Sequence, residues 1–203
     1  MCIRDSYVSG GGSTTHLIRS IIRKCEAGRG GAVFAQNGAI LILEDSTLES
    51  NKASTAGGGV FAAGGAKIQI KGISSIKNNI ATTSGGGFYL ANKDTTLEII
   101  GDGTQLVIDG NTAQEGGGVS AIGEAKIMVS SGATMHVTNN KATTGGGFYL
   151  QDSGTRFDVI NDETKLFIKN NTAQTNGGGI ALATGAVVHI TAPTTFHSNT
   201  AID

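Results

Sequence analysis

Apolar and polar residues alternate along short segments of this chain. In Ala66–Lys71, Ile68 and Ile70 are separated by polar residues, which is the period of a β-strand with one buried face. Spacing typical of an amphipathic helix is absent from the sequence. We therefore predict strands throughout, and we expect further inward residues at Leu41 and Leu43, Leu97 and Ile99, Ile127 and Val129, Phe157 and Val159, and Val188 and Ile190.

A longer pattern organises these strands. The chain repeats a motif that consists of an apolar residue, two variable residues, Asn, one variable residue and Ala. Gly-Gly-Gly and an apolar residue follow every copy of this motif except the last. The asparagines are 28 to 32 residues apart, a period typical of a solenoid of stacked units. They are Asn51, Asn79, Asn111, Asn140, Asn171 and Asn199, and Cys25 takes the corresponding place one unit earlier.

Each unit accommodates three short strands and is too short for a helical crossover, so stacked units would pair in parallel. Parallel connections are right-handed by default. We predict an all-β fold, a right-handed single-stranded parallel β-helix of about seven coils of roughly 27–32 residues. Residues 1–6 fit no repeat and are interpreted as a non-native leader. Residues 7–203 are expected to form one β-helix domain, truncated at both ends, because solenoids need terminal caps.

The repeated asparagines and glycines have structural explanations. Stacked at a corner, each asparagine amide can donate to one neighbour and accept from another. Cys25 is expected to be a small buried substitute in this ladder. The glycines permit positive φ or close backbone approach, and no Lys-Ser/Thr follows them as in a phosphate-binding loop.

Inward residues of the first strand alternate in size from one unit to the next. Small pairs would interdigitate with bulky pairs at constant spacing. The longer units carry extra turn residues between the second and third strands, at Asp102-Gly103 and Asn161–Glu163. The inward pairs are Val60 and Ala62, Phe88 and Leu90, Val119 and Ala121, and Phe148 and Leu150.

Composition narrows the functional classes. The chain has 203 residues with 32 Gly, 38% apolar and 15% charged residues, which is typical of an ordered glycine-rich repeat. At a net charge of −1 and with scattered Lys and Arg, nucleic acid is not an expected partner. We expect no transmembrane segment, because no apolar run reaches the required length, and the first residues lack a signal-peptide pattern.

Few residues of the sequence are arranged in a way that would suit catalysis or metal binding. Glu98 and Asp158 fall two coils apart on the outward face of the second strand, about 9.6 Å by strand spacing, which is in the range for inverting glycosidases. Met128 lies between them, so we favour a solvated face. His16, His136, His189 and His197 share no column with other ligands, and we expect neither a metal site nor a cofactor.

An outward column of the first strand is the one candidate binding surface. It reads Phe34, Phe61, Tyr89, Ser120, Tyr149 and Ala181. Exposed aromatic residues in a line can bind sugars or protein partners, and we single out Phe34, Phe61, Tyr89 and Tyr149 for that role. The alternative is that these rings only stack on one another and cover the backbone.

The segment Gly30-Gly31-Ala32-Val33, the later Gly-Gly-Gly versions and the apolar-x-x-Asn repeats resemble the polymorphic outer-membrane-protein repeat. The resemblance covers about residues 20 to 203, and only Phe196-His197-Ser198-Asn199 keeps the family's Phe. It implies the β-helical passenger of an autotransporter, a non-enzymatic stalk or adhesin outside the cell or on the outer membrane. Expected partners are a host or neighbouring-cell surface protein or glycan, and the rest of its own longer chain. The alternative function is a fragment of a β-helix polysaccharide lyase or glycoside hydrolase.

Overall fold

Seven strands stack in parallel in each of three sheets of the computed structural model, which describes residues 6–202. The chain runs through the three sheets in turn and then repeats, so each circuit is one coil. Every element between Ser6 and Ile202 is a strand or a connection between strands. The predicted seven parallel coils are confirmed. Coils two to seven begin at Gly30, Gly57, Gly85, Gly116, Gly145 and Gly177.

Each sheet collects the corresponding strand of every coil. The first sheet contains Ser6–Ser9, Val33–Gln36, Val60–Ala63, Phe88–Ala91, Val119–Ile122, Phe148–Gln151 and Ile180–Ala183. The second contains Thr14–Ile18, Ile40–Glu44, Lys67–Lys71, Thr96–Ile100, Lys126–Ser130, Arg156–Val159 and Val187–Ile190. The third contains Ile21–Arg23, Thr47–Glu49, Ile73–Lys77, Gln105–Asp109, Thr134–Thr138, Lys165–Lys169 and Thr194–His197.

A fourth, shorter line of pairing follows the asparagine corner, and sequence reasoning did not predict it. Isolated bridges at Thr112 join its two three-stranded segments. Buried alanines lie beneath it, which explains the Ala of the repeat. Its strands are Glu26–Ala27, Lys52–Ala53, Ile80–Ala81, Lys141–Thr144, Thr172–Asn176 and Thr200–Ala201.

Ser6, assigned to the leader from the sequence, pairs with Val33 in the first sheet. Residues 1–5 lie outside the described residues, and so does Asp203. The first strand thus begins one residue before the predicted start of the repeat domain.

The inward side chains of the three sheets form one continuous core. All inward residues predicted for coils two to six are buried, including the alternating small and bulky pairs of the first strand. In coil six, Phe148 and Phe157 also stack across the core, with ring centroids 4.7 Å apart. In the last coil Val188 and Ile190 are only partly buried, because no described coil covers them.

Hydrogen bonds join the repeated asparagines into one buried ladder. In a typical step, Asn111 Oδ1 accepts from the backbone N–H and the side-chain Nδ2 of Asn79, at 2.9 and 3.0 Å. Asn111 Nδ2 donates to Ile76 O and to Asn140 Oδ1, at 2.9 and 3.1 Å. At the beginning of the ladder, the N–H of the buried residue Cys25 donates to Asn51 Oδ1 at 3.1 Å. The amides satisfy backbone groups that the corner would otherwise leave buried without partners.

The residue before each ladder position has a left-handed backbone. Its φ lies between 52° and 67° in every coil, and this turns the chain from the third strand into the fourth. Asn and Gly adopt this region at low cost, and they supply four of the seven residues. The seven are Lys24, Ser50, Asn78, Gly110, Asn139, Asn170 and Ser198.

The glycine runs serve both purposes expected from the sequence. Gly85 has φ +66°, a conformation that L side chains rarely adopt. A Cβ added to Gly86 would collide with Gly117 O and lie 2.6 Å from Thr112 N. The second glycine therefore allows neighbouring coils to approach closely.

On the outward face of the third sheet, His136 stacks on Phe167 with ring centroids 4.7 Å apart. Lys169 Nζ lies 4.9 Å from the centre of the Phe167 ring. Burial, and then the charge of Lys169, lower the pKa of His136 below its ordinary value of 6.5.

Replacing a central ladder residue should be far more costly than replacing the last one. Asn111→Ala leaves buried groups of Asn79 and Ile76 without partners, so we expect a loss of about 3 kcal/mol or more in unfolding free energy. Asn199 is half-buried, and water can replace its bonds, so Asn199→Ala should cost clearly less. Urea denaturation followed by circular dichroism measures both. Equal costs would contradict a ladder that depends on burial.

Truncating a bulky core layer should also destabilise the stack. Phe88 is fully buried between the smaller layers of its neighbours, and Phe88→Ala should cost about 3–5 kcal/mol. Ile73→Ala removes an exposed apolar side chain and serves as the control, expected within about 0.5 kcal/mol of wild type. The same denaturation experiment compares them. A Phe88→Ala loss no greater than the control's would contradict the layered core.

The protein should lose stability as His136 becomes protonated. Its pKa is lower in the folded chain than in the unfolded chain, so the unfolded state binds the proton more readily. This loss should begin as the pH falls through 6.5, and it is absent at higher pH. His136→Phe keeps a ring against Phe167 and should flatten the stability profile between pH 6.5 and about 5.5. Thermal unfolding across this range tests the prediction, which fails if both profiles have the same slope.

Candidate binding face on the first sheet

Aromatic side chains stack in register along the outward face of the first sheet. Tyr7 pairs with Phe34, Phe34 with Phe61, and Phe61 with Tyr89. Successive ring centroids are 5.3, 4.8 and 5.1 Å apart, and the interplanar angles are 9°, 2° and 25°. We call these four residues, together with Tyr149, the aromatic column. Tyr7 was not predicted from the sequence, although it precedes the buried residue Val8 in the same way that Phe34 precedes the buried residue Ala35.

The members of the column differ in exposure. Tyr7 is 61% exposed, whereas Phe34, Tyr89 and Tyr149 are half-buried. Phe61 is only 7% exposed, so the expectation that it is an accessible aromatic residue is wrong. Its neighbours cover both ring faces, and the Arg29 guanidinium lies 5.5 Å from its ring centre. The rings do stack on one another, and accessible area remains mainly at the tyrosines.

Ser120 interrupts the aromatic column. It pairs with Tyr89 on one side and with Tyr149 on the other, so the column resumes one coil later. The Tyr149 hydroxyl donates to Gln151 Oε1 at 2.7 Å, and Gln151 Nε2 donates to Asp152 Oδ1 at 3.2 Å. These bonds hold Tyr149 beside the C-terminal end of its strand.

An open groove of about 500 Å³ runs beside the aromatic column. Phe61 and Tyr89 form part of one wall, and Arg29 and Thr55 come from the corner that precedes the first sheet. Amides from the loops after the strands, such as Asn37 and Asn92, lie at its other end. The groove thus combines aromatic surface with hydrogen-bonding groups, the combination found in ligand sites.

Charged groups surround the two central tyrosines, with carboxylates near both and the Arg29 guanidinium near Tyr89. Burial raises the pKa of Tyr149, and the carboxylates of Glu115 and Asp152 raise it further. Burial also raises the pKa of Tyr89, where Arg29 opposes the same two carboxylates. Both hydroxyls are therefore protonated at neutral pH and available for hydrogen bonds.

The second sheet brings the predicted carboxylate column into register. Glu98 pairs with Met128, and Met128 pairs with Asp158. Glu98 accepts hydrogen bonds from Gln69 and Thr96, at 3.2 Å each. Met128 is 37% exposed and separates the two carboxylates with an apolar side chain.

Asp158 is held by cationic and ionisable neighbours on its own face. Arg156 Nε donates to both of its carboxylate oxygens, at 2.6 and 2.7 Å. His189 Nδ1 lies 3.5 Å from Oδ1. Asp158 and Glu98 thus have separate sets of partners, and the structure does not bring them together.

The remaining predicted residues are distributed over the solenoid. His16 bonds to Glu44 at 2.8 Å, and the ladder from Cys25 to Asn199 is part of the corner rather than of any outward face. Between Ser6 and Ile202, no three His, Cys, Asp or Glu side chains are grouped so that they could hold a metal ion. No helix of that region is long and apolar enough to cross a membrane.

Comparison with known proteins agrees with this architecture. The family model described as the right-handed beta helix region matches residues 7–203, nearly the whole chain. Searches of curated proteins and of solved structures found no match. The matched range includes the aromatic column, the carboxylate column and the asparagine ladder. The chain therefore belongs to the right-handed β-helix family.

Proposed function

We propose that this chain is a non-enzymatic β-helical segment of a cell-surface or secreted adhesin, and that it binds a partner through the first sheet. The observation that carries the proposal is the aromatic column with its adjacent groove. Tyrosine combines an apolar ring with a polar tip, and such side chains are enriched where proteins bind one another. The partner is a protein or glycan on a host cell or a neighbouring cell.

The rigidity of the face supports a binding role. Every column residue stands on a strand that pairs on both sides or lies at the end of the stack. The centroids of successive rings from Tyr7 to Tyr89 are 4.8 to 5.3 Å apart. A preorganised surface loses little conformational entropy when a partner binds. The resemblance of the repeats to polymorphic outer-membrane proteins supports a location outside the cell.

The alternative function is polysaccharide cleavage, since right-handed β-helix proteins include polysaccharide-degrading enzymes as well as adhesin-like proteins. An inverting glycosidase needs one carboxylic acid with a raised pKa and a second carboxylate that activates water. Arg156 Nε already occupies both carboxylate oxygens of Asp158, and Met128 lies between Asp158 and Glu98 in the column. These contacts favour binding over catalysis as the role of the described surface.

Removing the two central tyrosine rings should strongly weaken adhesion. We expect Tyr89→Ala/Tyr149→Ala to bind at least about tenfold more weakly in a glycan array and in flow cytometry with mammalian and bacterial cells. The matched control Ile73→Ala/Ile100→Ala removes two exposed apolar side chains elsewhere and should bind like wild type. Circular dichroism of all variants verifies the fold.

Two results would contradict the proposed function. Undiminished binding by the tyrosine variant would show that the first sheet is not the binding face. Shortening of polysaccharides by the wild-type chain, measured as new reducing ends, would instead support the enzymatic alternative.

A further inference from the structure

The interruption at Ser120 leaves one position of the aromatic column without a ring. Tyr89 and Tyr149 are separated by two strand spacings, about 9.6 Å. Stacked rings elsewhere in the column are 4.8 to 5.3 Å apart, so a planar group inserted between the two tyrosine rings would continue the column at the same spacing once a side chain that covers Ser120 moves aside. We call Tyr89, Ser120 and Tyr149 the tyrosine clamp.

The Ser120 hydroxyl is a second indication of a ligand, and it does not depend on this spacing. Ser120 is fully buried, and its Oγ is the one buried side-chain N or O atom between Ser6 and Ile202 without a hydrogen-bond partner. A buried hydroxyl without a partner costs about 1–3 kcal/mol, and native proteins have few such groups. Its outward position in the column directs it between the two tyrosines. A donor inserted there would satisfy it.

The charges around the clamp favour a cation. The carboxylates of Glu115 and Asp152 act on both tyrosine hydroxyls, whereas the Arg29 guanidinium opposes them at Tyr89 only. Two negative groups and one positive group thus surround the clamp, and the Tyr149 side of it is acidic. Glu115 Oε2 accepts from Ser84 Oγ, and Asp152 accepts from the Gly123 N–H and from Gln151 Nε2. These donors are all neutral. No ion pair involving either carboxylate is found within residues 6–202.

The ring of Tyr89 already departs from the stack on the side of the clamp. Phe34 and Phe61 are nearly parallel, at 2°, whereas Tyr89 is tilted by 25° from Phe61. Because Ser120 is fully buried, an inserted group must move a flanking side chain aside. Binding should therefore change the environment of both tyrosine rings.

We propose that the tyrosine clamp binds an arginine side chain of a partner protein. A guanidinium is planar, always charged and able to stack on aromatic faces, and it carries five donors for the Ser120 hydroxyl and the carboxylates. A lysine ammonium lacks the planar shape, and a sugar ring lacks the charge. The inference rests on the proposed function of the first sheet and names the chemistry of its partner.

Nuclear magnetic resonance of the tyrosine rings tests this binding directly. The chain has three tyrosines, so ring-¹³C labelling reports on Tyr89 and Tyr149, with Tyr7 as an internal reference outside the clamp. The probe is N-acetyl-arginine N-methylamide, compared with the matching citrulline and lysine compounds and with N-acetylglucosamine. We expect arginine to shift the Tyr89 and Tyr149 signals saturably and to bind about tenfold more tightly than neutral citrulline.

Variants separate the contributions of charge and shape. Glu115→Gln should weaken arginine binding about fivefold, whereas the control Glu98→Gln on the second sheet should leave it unchanged. Ser120→Phe inserts a ring into the column and should abolish binding. If Ser120→Phe does not fold, Ser120→Ala, which removes only the hydroxyl, replaces it and should weaken binding severalfold.

Three results would overturn the proposal: equal binding of arginine and citrulline, equal shifts at Tyr7, or a response to N-acetylglucosamine alone. If the wild-type chain binds cells through its tyrosines but arginine gives no shift, the clamp proposal fails and the proposed function stands. If arginine binds the clamp but no cell or glycan is bound, the clamp stands and the proposed function fails.

Discussion

The buried hydrogen bonds of the asparagine corner are the constraint on which the rest of the solenoid depends. At each corner the chain turns through a left-handed residue, and the backbone groups beside the turn lie inside the protein. Each asparagine satisfies them by bonding to a backbone carbonyl of the preceding coil and to both the N–H and the amide of its neighbours. Because this arrangement needs one asparagine directly above another, it fixes the register between coils.

Because the register between coils is fixed, outward residues at equivalent positions of successive coils are aligned in columns. Insertions between the second and third strands, such as residues 101–104 and 160–164, change the length of a coil without shifting its first strand. The aromatic rings consequently remain aligned although the asparagine spacing varies from 28 to 32 residues. Changes in the length of these loops therefore do not disturb the outward face of the first sheet.

Periodicity in the sequence was sufficient to predict the coils, the inward residues and, apart from Tyr7, the members of the two outward columns. It could not predict the burial of Phe61, because the covering Arg29 comes from the corner rather than from a strand. The fourth line of pairing was missed because strands of two residues, such as Lys52–Ala53, show no alternation. The contact between Phe148 and Phe157 joins two sheets, and alternation within one strand carries no information about it.

In an array whose neighbouring layers support one another, local departures from the pattern indicate function more strongly than the pattern itself. Two separate energetic costs arise at Ser120. Tyr89 lacks a ring on one side, which forgoes about 0.5–1.5 kcal/mol of stacking, and a buried hydroxyl has no partner among the described residues. A tyrosine or phenylalanine at this position would remove both costs. Stability alone would therefore favour another ring at Ser120, and this is the physical reason for proposing that a ligand binds between the two tyrosines.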